Sequence, residues 1–381
     1  MSLNDIQFIH PEQSLLLWCT SRQPPETRQE AIHRLLARSP DFDWERLLRL
    51  AAINRVSSLL YRNLSRLEPS PAPAPILARL RQQYWNNSLW TLQLKAELLR
   101  IVRAFAAADI PVLPLKGPVL AALYYRDSTL RQSADLDILV RPENMLSAEN
   151  ALLNMGYIVS STREYRNRAL KVGHHLCFEN TANKVHVELH WRITSPRFGH
   201  DGGFVWENAG NFLFEDTRIL VLKLENLLLY LCIHAFRHDW GRLQWICDIH
   251  QIIEARPDID WRWVIAQAKR LRVYRSLIVS LRLADELYGI TLPDELRQSL
   301  SENWLSKKEI QLISDNLFLD IKPNPLFHHT FFFDTVTDTW RHILSVLSNY
   351  DITPNERDAQ WLSLPRRLHF LYYLTRPVRL M

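Results

Sequence analysis

The feature that most constrains the fold of this chain is a pair of aspartates, Asp135 and Asp137, set into the apolar segment ADLDILV. Side chains alternate between the two faces of a strand, so both carboxylates would lie on one face, while Leu136, Ile138 and Val140 would fill the other. Two like charges at this spacing repel each other, and a divalent cation that binds oxygen ligands would remove that cost. The segment therefore predicts a strand that carries a metal platform for phosphoryl or nucleotidyl chemistry.

The composition around this strand favours helices. Only 9 of the 381 residues are glycine, and Leu, Ala, Arg and Glu, which are good helix formers, are abundant. Apolar residues recur at spacings of three and four before residue 95 and again after residue 217, whereas short apolar segments follow residue 109. We predict an α+β protein with an N-terminal helical region over 1–95, an α/β core over 96–215 and a C-terminal helical region over 216–381.

Local patterns predict the individual elements. The predicted strands cover 110–115, 134–140, 157–160, 174–179 and 185–191. The predicted helices cover 26–37, 44–67, 76–108, 118–125, 142–156, 219–237, 243–255, 261–271, 276–287 and 366–374. Proline at a first helical turn and glycine after a last one support the bounds of the two helices in the core.

Charge and cysteine usage exclude several classes of protein. The formal charge is +5 and no dense Lys/Arg block is present, so we expect no dedicated nucleic-acid tail. The four cysteines include no CxxC pair, which argues against a disulfide framework or a structural zinc site and fits reduced thiols. We expect a cytoplasmic protein, because we find neither a signal peptide nor an apolar stretch long enough to span a membrane.

The order of these motifs resembles the polymerase-β-like nucleotidyltransferase superfamily: strand, turn, helix, Asp-x-Asp strand, then a later strand with another acid. The wider sequence is similar to the bacterial uncharacterised nucleotidyltransferase family within it, over roughly residues 30–260. The matching stretches are LKGPVL at 115–120, LRQSADLDILV at 130–140, VELHWR at 187–192, HAFRHDW at 234–240 and LQWICDI at 243–249. The resemblance implies a small mixed-sheet core flanked by helical regions.

The resemblance also implies the catalytic chemistry. Asp135, Asp137 and Glu188 would be the catalytic carboxylates and would hold one or two Mg²⁺ ions. A nucleoside triphosphate such as ATP would be the donor. Two ions about 3.5–4 Å apart can stabilise both the attacking and the leaving oxygen of an in-line displacement. Because side chains alternate along a strand, Glu188 would point to the face that this role requires.

The candidate nucleotide contacts are Lys116, Gly117 and Arg131. Many superfamily members carry Gly-Ser at this turn, whereas this chain has Lys116-Gly117-Pro118, and proline supplies neither an amide donor nor a hydroxyl. Lys116 would replace part of that contact with its charge. Alternatively, Lys116 and Arg131 are surface charges that pair with Asp127 or Glu143.

Histidines surround the acidic segments. His175 and His190 are candidate accessory residues near the metals, because imidazole can bind a metal or transfer protons. The alternative is that His190 only packs beside Trp191. A second pair, His234 and His238, has helical spacing but lacks the glutamate of an HExxH motif, so we expect structural histidines that pair with Asp248.

Three functional hypotheses follow. The leading one is an Mg²⁺-dependent nucleotidyltransferase that acts on an unidentified small-molecule, peptide or macromolecular acceptor. The first alternative is a tailoring transferase that uses a sugar nucleotide, although such enzymes usually place a larger α/β domain before the Asp-x-Asp motif. The second alternative is a catalytically degenerate module that binds nucleotides.

Overall fold

The computed structural model describes residues 10–160, 166, 170, 173–193, 203–294, 296–297, 307–319, 361–362, 368, 371–372 and 375. Within these residues, 12 helices accompany a mixed five-stranded sheet and a separate two-stranded sheet. The predicted α+β class, with helical regions on both sides of the core, is confirmed. The predicted helix over 366–374 lies largely outside the described residues, and the three predicted domain bounds stay a prediction.

Five helices precede the sheet. They are α1 (Pro11–Thr20), α2 (Pro25–Ala37), α3 (Trp44–Ile53), α4 (Ser57–Leu64) and α5 (Ala74–Ala107). The helix predicted over 44–67 is divided in two, because Arg55 adopts a φ of 56°, a left-handed conformation that does not continue a right-handed helix. The long helix predicted over 76–108 is confirmed as α5, which begins within the proline-rich segment.

The five-stranded sheet has one parallel pair of strands. Its strands are β1 (Val112–Pro114), β2 (Leu136–Val140), β3 (Tyr157–Val159), β4 (His175–Asn180) and β5 (His186–His190). They lie in the order β1-β2-β5-β4-β3, and β2 and β5 are parallel, whereas every other neighbouring pair is antiparallel. Each of the five strands lies within two residues of its predicted bounds.

The two faces of β2 contribute to different hydrophobic cores. Leu136, Ile138 and Val140 belong to one buried cluster, which also contains apolar residues from the second half of α5. Leu139 faces the other way and belongs to a second cluster, which joins the helices before the sheet to those after it. The face that carries the aspartates is therefore the face that the helical regions cover.

The remaining elements correct one prediction. The other helices are α6 (Pro118–Tyr124), α7 (Met145–Asn154), α8 (Leu224–Arg237), α9 (Leu243–Ala255), α10 (Trp261–Arg270), α11 (Tyr274–Tyr288) and α12 (Lys307–Leu317). A helix beginning at residue 219 is wrong, because Thr217–Val221 is strand β7, paired with β6 (Gly210–Phe214). Alternating β-branched residues favour a strand at that point. Among the described helices, none combines the length and apolarity needed to cross a membrane.

A buried ion pair connects the sheet region to α9. The Arg131 guanidinium donates from Nε and Nη2 to the two carboxylate oxygens of Asp248, over 2.8 and 2.9 Å. Tyr125 donates its hydroxyl to the same carboxylate over 2.6 Å. The side chains of Arg131 and Asp248 are 5% and 0% exposed, so neither charge has water as an alternative partner. Bidentate geometry of this kind fixes orientation as well as distance.

This geometry predicts a large loss of stability when one partner is removed. Asp248→Ala would leave the Arg131 charge buried and unpaired, and should lower the free energy of unfolding by about 3–5 kcal/mol. Urea denaturation followed by circular dichroism measures this. The control is Asp258→Ala, which breaks an exposed ion pair with Arg256 and should leave the midpoint unchanged. Equal effects of the two substitutions would contradict a special role for the buried pair.

Candidate active site

The acidic site is built by the parallel pairing of β2 with β5. Asp137 lies directly opposite Glu188 in this register, so the two carboxylates point from the same face of the sheet. Asp137 is nearly buried, with 4% of its side chain exposed, whereas the side chain of Glu188 is 32% exposed. Asp135 immediately precedes β2 and is half-buried. One buried carboxylate therefore lies beside a second that solvent can reach.

Two basic side chains contact these acids. The Lys116 ammonium lies 3.1 Å from Asp137 Oδ1. The Nε2 atom of His190 lies 3.4 Å from the same oxygen and 3.2 Å from Glu188 Oε2, although its direction is poor for a hydrogen bond to either. The alternative that Lys116 is a surface charge paired with Asp127 or Glu143 is wrong, because the β1–α6 turn points Lys116 toward Asp137.

The pKa values of the site follow from burial and these contacts. Burial would raise the pKa of Asp137, but Lys116 and His190 outweigh it and hold that pKa well below its usual range. Burial and repulsion from Asp137 raise the pKa of Asp135. Burial would lower the pKa of His190, yet its contacts with Asp137 and Glu188 raise it. The contacts among these groups thus favour the charged form of both Asp137 and His190.

Histidines from β4 and its preceding loop extend the site. The ring centroids of His175 and His190 lie 5.0 Å apart. Burial and the nearby His190 lower the pKa of His175 to about 4. His174 Nε2 lies 2.6 Å from Arg237 Nη2 and therefore accepts a hydrogen bond from a group that is always protonated. The structure thus brings both predicted accessory histidines, His175 and His190, to the acidic cluster.

Helices α8 and α9, together with the residues that follow α8, place further side chains beside Lys116. His234 Nε2 lies 3.5 Å from Lys116 Nζ, and the rings of His234 and His238 both pack against Trp245. Burial lowers the pKa of His238 to about 3. The expected pairing of these histidines with Asp248 is wrong, because Arg131 and Tyr125 occupy that carboxylate.

The turn that follows β1 has the conformation that its glycine permits. Gly117 has φ 73° and ψ −143°, which side chains rarely adopt, and α6 begins at Pro118. An added Cβ would lie 3.8 Å from the carbonyl oxygen of Asp135, so the conformation rather than space requires glycine. The amide of Leu115 donates to the Asp137 carbonyl over 2.9 Å, which fixes this turn beside the acids.

Arg131, the third predicted nucleotide contact, is engaged elsewhere. Its guanidinium is buried, binds Asp248 and also donates to Ser133 Oγ over 3.0 Å. The expectation that it pairs with Asp127 or Glu143 on the surface is wrong, because Asp127 pairs with Arg62. Arg131 lies close enough to influence Asp137 electrostatically, so it acts on the site through its charge and through the position of α9.

Two arginines at the site were missed by sequence analysis. The positive charge of Arg55 acts on Asp135, and Arg242 interacts electrostatically with both Arg55 and Asp135. Arg242 also lies over the Trp245 ring, 5.4 Å from its centroid. Arg242 immediately precedes the segment 243–249, which resembles the family, so the sequence could have indicated that Arg242 lies near the site. Nothing in the sequence around Arg55 indicates this.

Several groups of side chains could hold a cation. Within the described residues, ligand atoms approach to within 4.8 Å of one another in three sets: Asp137, Glu188 and His190; His175, Cys177 and Glu188; and His174, His175 and His190. Asp135 belongs to none of the three and lies at the edge of the cluster, within electrostatic reach of Asp137 and Glu188. Glu188 is the carboxylate common to two of the sets.

Comparison with known proteins identifies the family of this chain. The model of a family described as uncharacterised nucleotidyltransferase matches residues 40–289, which is more than half of the chain. The chain belongs to this family and is a nucleotidyltransferase. A search of curated proteins finds no match.

The contacts of His190 generate a prediction for the metal-free protein. Asp137→Asn removes the carboxylate that favours the charged imidazole, so burial should dominate and the pKa of His190 should fall. Titration of the imidazole resonances by NMR, in the presence of a chelator, measures this. Asp216→Asn, an exposed substitution in the β6–β7 turn, serves as the control and should leave that pKa unchanged. An unchanged or higher pKa in Asp137→Asn would contradict the assigned contacts.

Proposed function

We propose that this nucleotidyltransferase transfers a nucleotidyl group from a nucleoside triphosphate to an acceptor hydroxyl, with Mg²⁺ held by Asp135, Asp137 and Glu188. The observation that carries the proposal is the β2–β5 register, which sets Asp137 directly opposite Glu188. Carboxylate oxygens are the ligands that Mg²⁺ prefers, and Asp137 and Glu188 offer ligand atoms within 4.8 Å of each other. The donor set therefore fits a hard divalent cation.

The reaction would be an in-line displacement. The acceptor oxygen forms a bond to the α-phosphorus, the bond from that phosphorus to the oxygen bridging to the β-phosphate breaks, and pyrophosphate leaves. Glu188 is the partly exposed carboxylate, and we assign it the role of receiving the acceptor proton. Bound Mg²⁺ would supply charge neutralisation on the phosphate oxygens. Catalysis of this kind consists mainly of positioning and electrostatics.

We further propose that arginines compensate for the missing serine of the turn. Pro118 supplies no amide donor, and Lys116 is already paired with Asp137. Arg55 and Arg242 act electrostatically on Asp135, and guanidinium groups bind phosphate oxygens in a bidentate manner. Together with Lys116 and Gly117 they would hold the triphosphate. Arg131 would contribute through its charge and through α9.

The alternatives are less well supported. Helices α1–α5 fill most of the described chain before β1, so no larger α/β domain precedes the Asp-x-Asp strand among these residues, as a sugar-nucleotide transferase would usually require. Family membership also favours nucleotidyl transfer. A degenerate module would bind a triphosphate without turning it over, and the next experiment distinguishes it.

Substitution of the aspartates tests the proposed metal ligands. Asp135→Asn and Asp137→Asn should each lower pyrophosphate release, measured with each nucleoside triphosphate, Mg²⁺ and a panel of acceptors, by at least about 100-fold. The control for charge removal is Asp216→Asn, which changes an exposed aspartate in the β6–β7 turn. Turnover at the wild-type rate in the Asp137→Asn protein would contradict the metal role. Triphosphate binding by the wild-type protein with no turnover across the panel would favour the degenerate module.

The proposed triphosphate contacts give a separate prediction. Arg242→Ala should raise the KM for the triphosphate about 10-fold, because a charge-assisted hydrogen bond contributes about 1.5–3 kcal/mol. Steady-state kinetics measures this. Arg256→Ala is the matched control, since Arg256 follows the other end of α9, about 20 Å away, and pairs with Asp258. A KM that responds equally to both substitutions would argue against a phosphate contact at Arg242.

A further inference from the structure

Four metal-ligating side chains form one patch on the antiparallel strands β4 and β5. His175 lies directly opposite His190, and Cys177 lies directly opposite Glu188. Residues two apart on a strand share a face, so all four side chains project from the same side of the sheet. The result is a rectangle of two imidazoles, one thiol and one carboxylate, which we call the β4–β5 donor patch.

Three members of the β4–β5 donor patch, His175, Cys177 and Glu188, are close enough to hold one ion, and His190 lies beside them. Ligand atoms of His175, Cys177 and Glu188 lie within 4.8 Å of one another. His190 Nε2 lies 3.2 Å from Glu188 Oε2, and the His175 and His190 rings are 5.0 Å apart. Ligands at about 2.0–2.3 Å from a tetrahedral ion are themselves about 3.3–3.8 Å apart, so small side-chain adjustments would close the site.

Buried nitrogen atoms in the patch lack partners. His190 is 3% exposed, and its Nδ1 atom has no hydrogen-bond partner among the described residues, whereas its Nε2 atom faces Asp137 and Glu188. The Nδ1 atom of His175 is also buried and also has no hydrogen-bond partner among the described residues. Such groups are costly to bury unless something binds them. His174 is different, because its Nε2 accepts from Arg237 and its proton therefore lies on Nδ1.

We propose that His175, Cys177 and Glu188 bind a borderline transition-metal cation, with Zn²⁺ the best match and water as the fourth ligand. Imidazole and thiolate ligands suit Zn²⁺, whereas Mg²⁺ is bound through oxygen. A four-coordinate site of mixed nitrogen, sulfur and oxygen ligands is typical of Zn²⁺. This site goes beyond the proposed nucleotidyl transfer and does not depend on it. Glu188 would be shared between the two cation positions.

Metal titration of the full chain tests the proposal without an activity assay. After chelator treatment, the wild-type protein should bind one equivalent of Zn²⁺ in competition with a chromophoric chelator. Co²⁺ in the same site should give intense tetrahedral d–d absorption and a thiolate-to-cobalt charge-transfer band. A weak octahedral spectrum, or no binding, would overturn the proposal.

Variants assign the ligands. Cys177→Ser should remove the charge-transfer band, and His175→Ala should weaken Zn²⁺ binding at least about 10-fold. The control is His186→Ala, which replaces an exposed histidine on β5 that belongs to none of the ligand groups, and this variant should bind Zn²⁺ as the wild type does. Persistence of the band in Cys177→Ser would overturn the proposal, whatever the fold of the other variants. Loss of nucleotidyl transfer with intact Zn²⁺ binding would count against the proposed function alone.

Discussion

The parallel pairing of β2 with β5 is the constraint on which the site depends. It sets a buried aspartate, Asp137, directly opposite Glu188, although α7, β3 and β4 separate the two strands along the chain. Two carboxylates this close repel each other, and the structure balances them with Lys116 and His190 at 3.1–3.4 Å. Because Asp137, Lys116 and His190 are nearly buried, the contacts of Asp137 act through a low dielectric and are stronger than they would be in water.

The helices contribute by closing the charged face of the sheet. One face of β2 is covered by an apolar core, and the other meets the helices on both sides of the sheet. Helix α8 provides His234 beside Lys116, and the ion pair between Arg131 and Asp248 fixes α9 relative to the strand that carries the acids. The helical regions therefore form a wall of the site as well as the hydrophobic core, and the segments at their ends carry Arg55 and Arg242, which act electrostatically on Asp135.

Local signals in the sequence were sufficient for the strands but insufficient for contacts between distant segments. The strands of the large sheet were predicted to within two residues, because apolar alternation and flanking Gly or Pro are local features. The strand β7 was assigned to the following helix, since nothing local marks its end. The partner of Asp248 was wrong, because Arg131 lies 117 positions away and no spacing rule connects them. Similarly, the β4–β5 donor patch is visible only once the antiparallel register that sets Cys177 opposite Glu188 is known.

The central claim is that carboxylates from β2 and β5 converge on a divalent cation that binds a triphosphate. The most direct test is a crystal structure with Mn²⁺, as an anomalous substitute for Mg²⁺, and a non-hydrolysable nucleoside triphosphate. The account predicts an anomalous peak in contact with Asp137 and Glu188, with triphosphate oxygens completing its coordination and the phosphates near Arg242. A triphosphate bound elsewhere, with no peak at these two carboxylates, would contradict it.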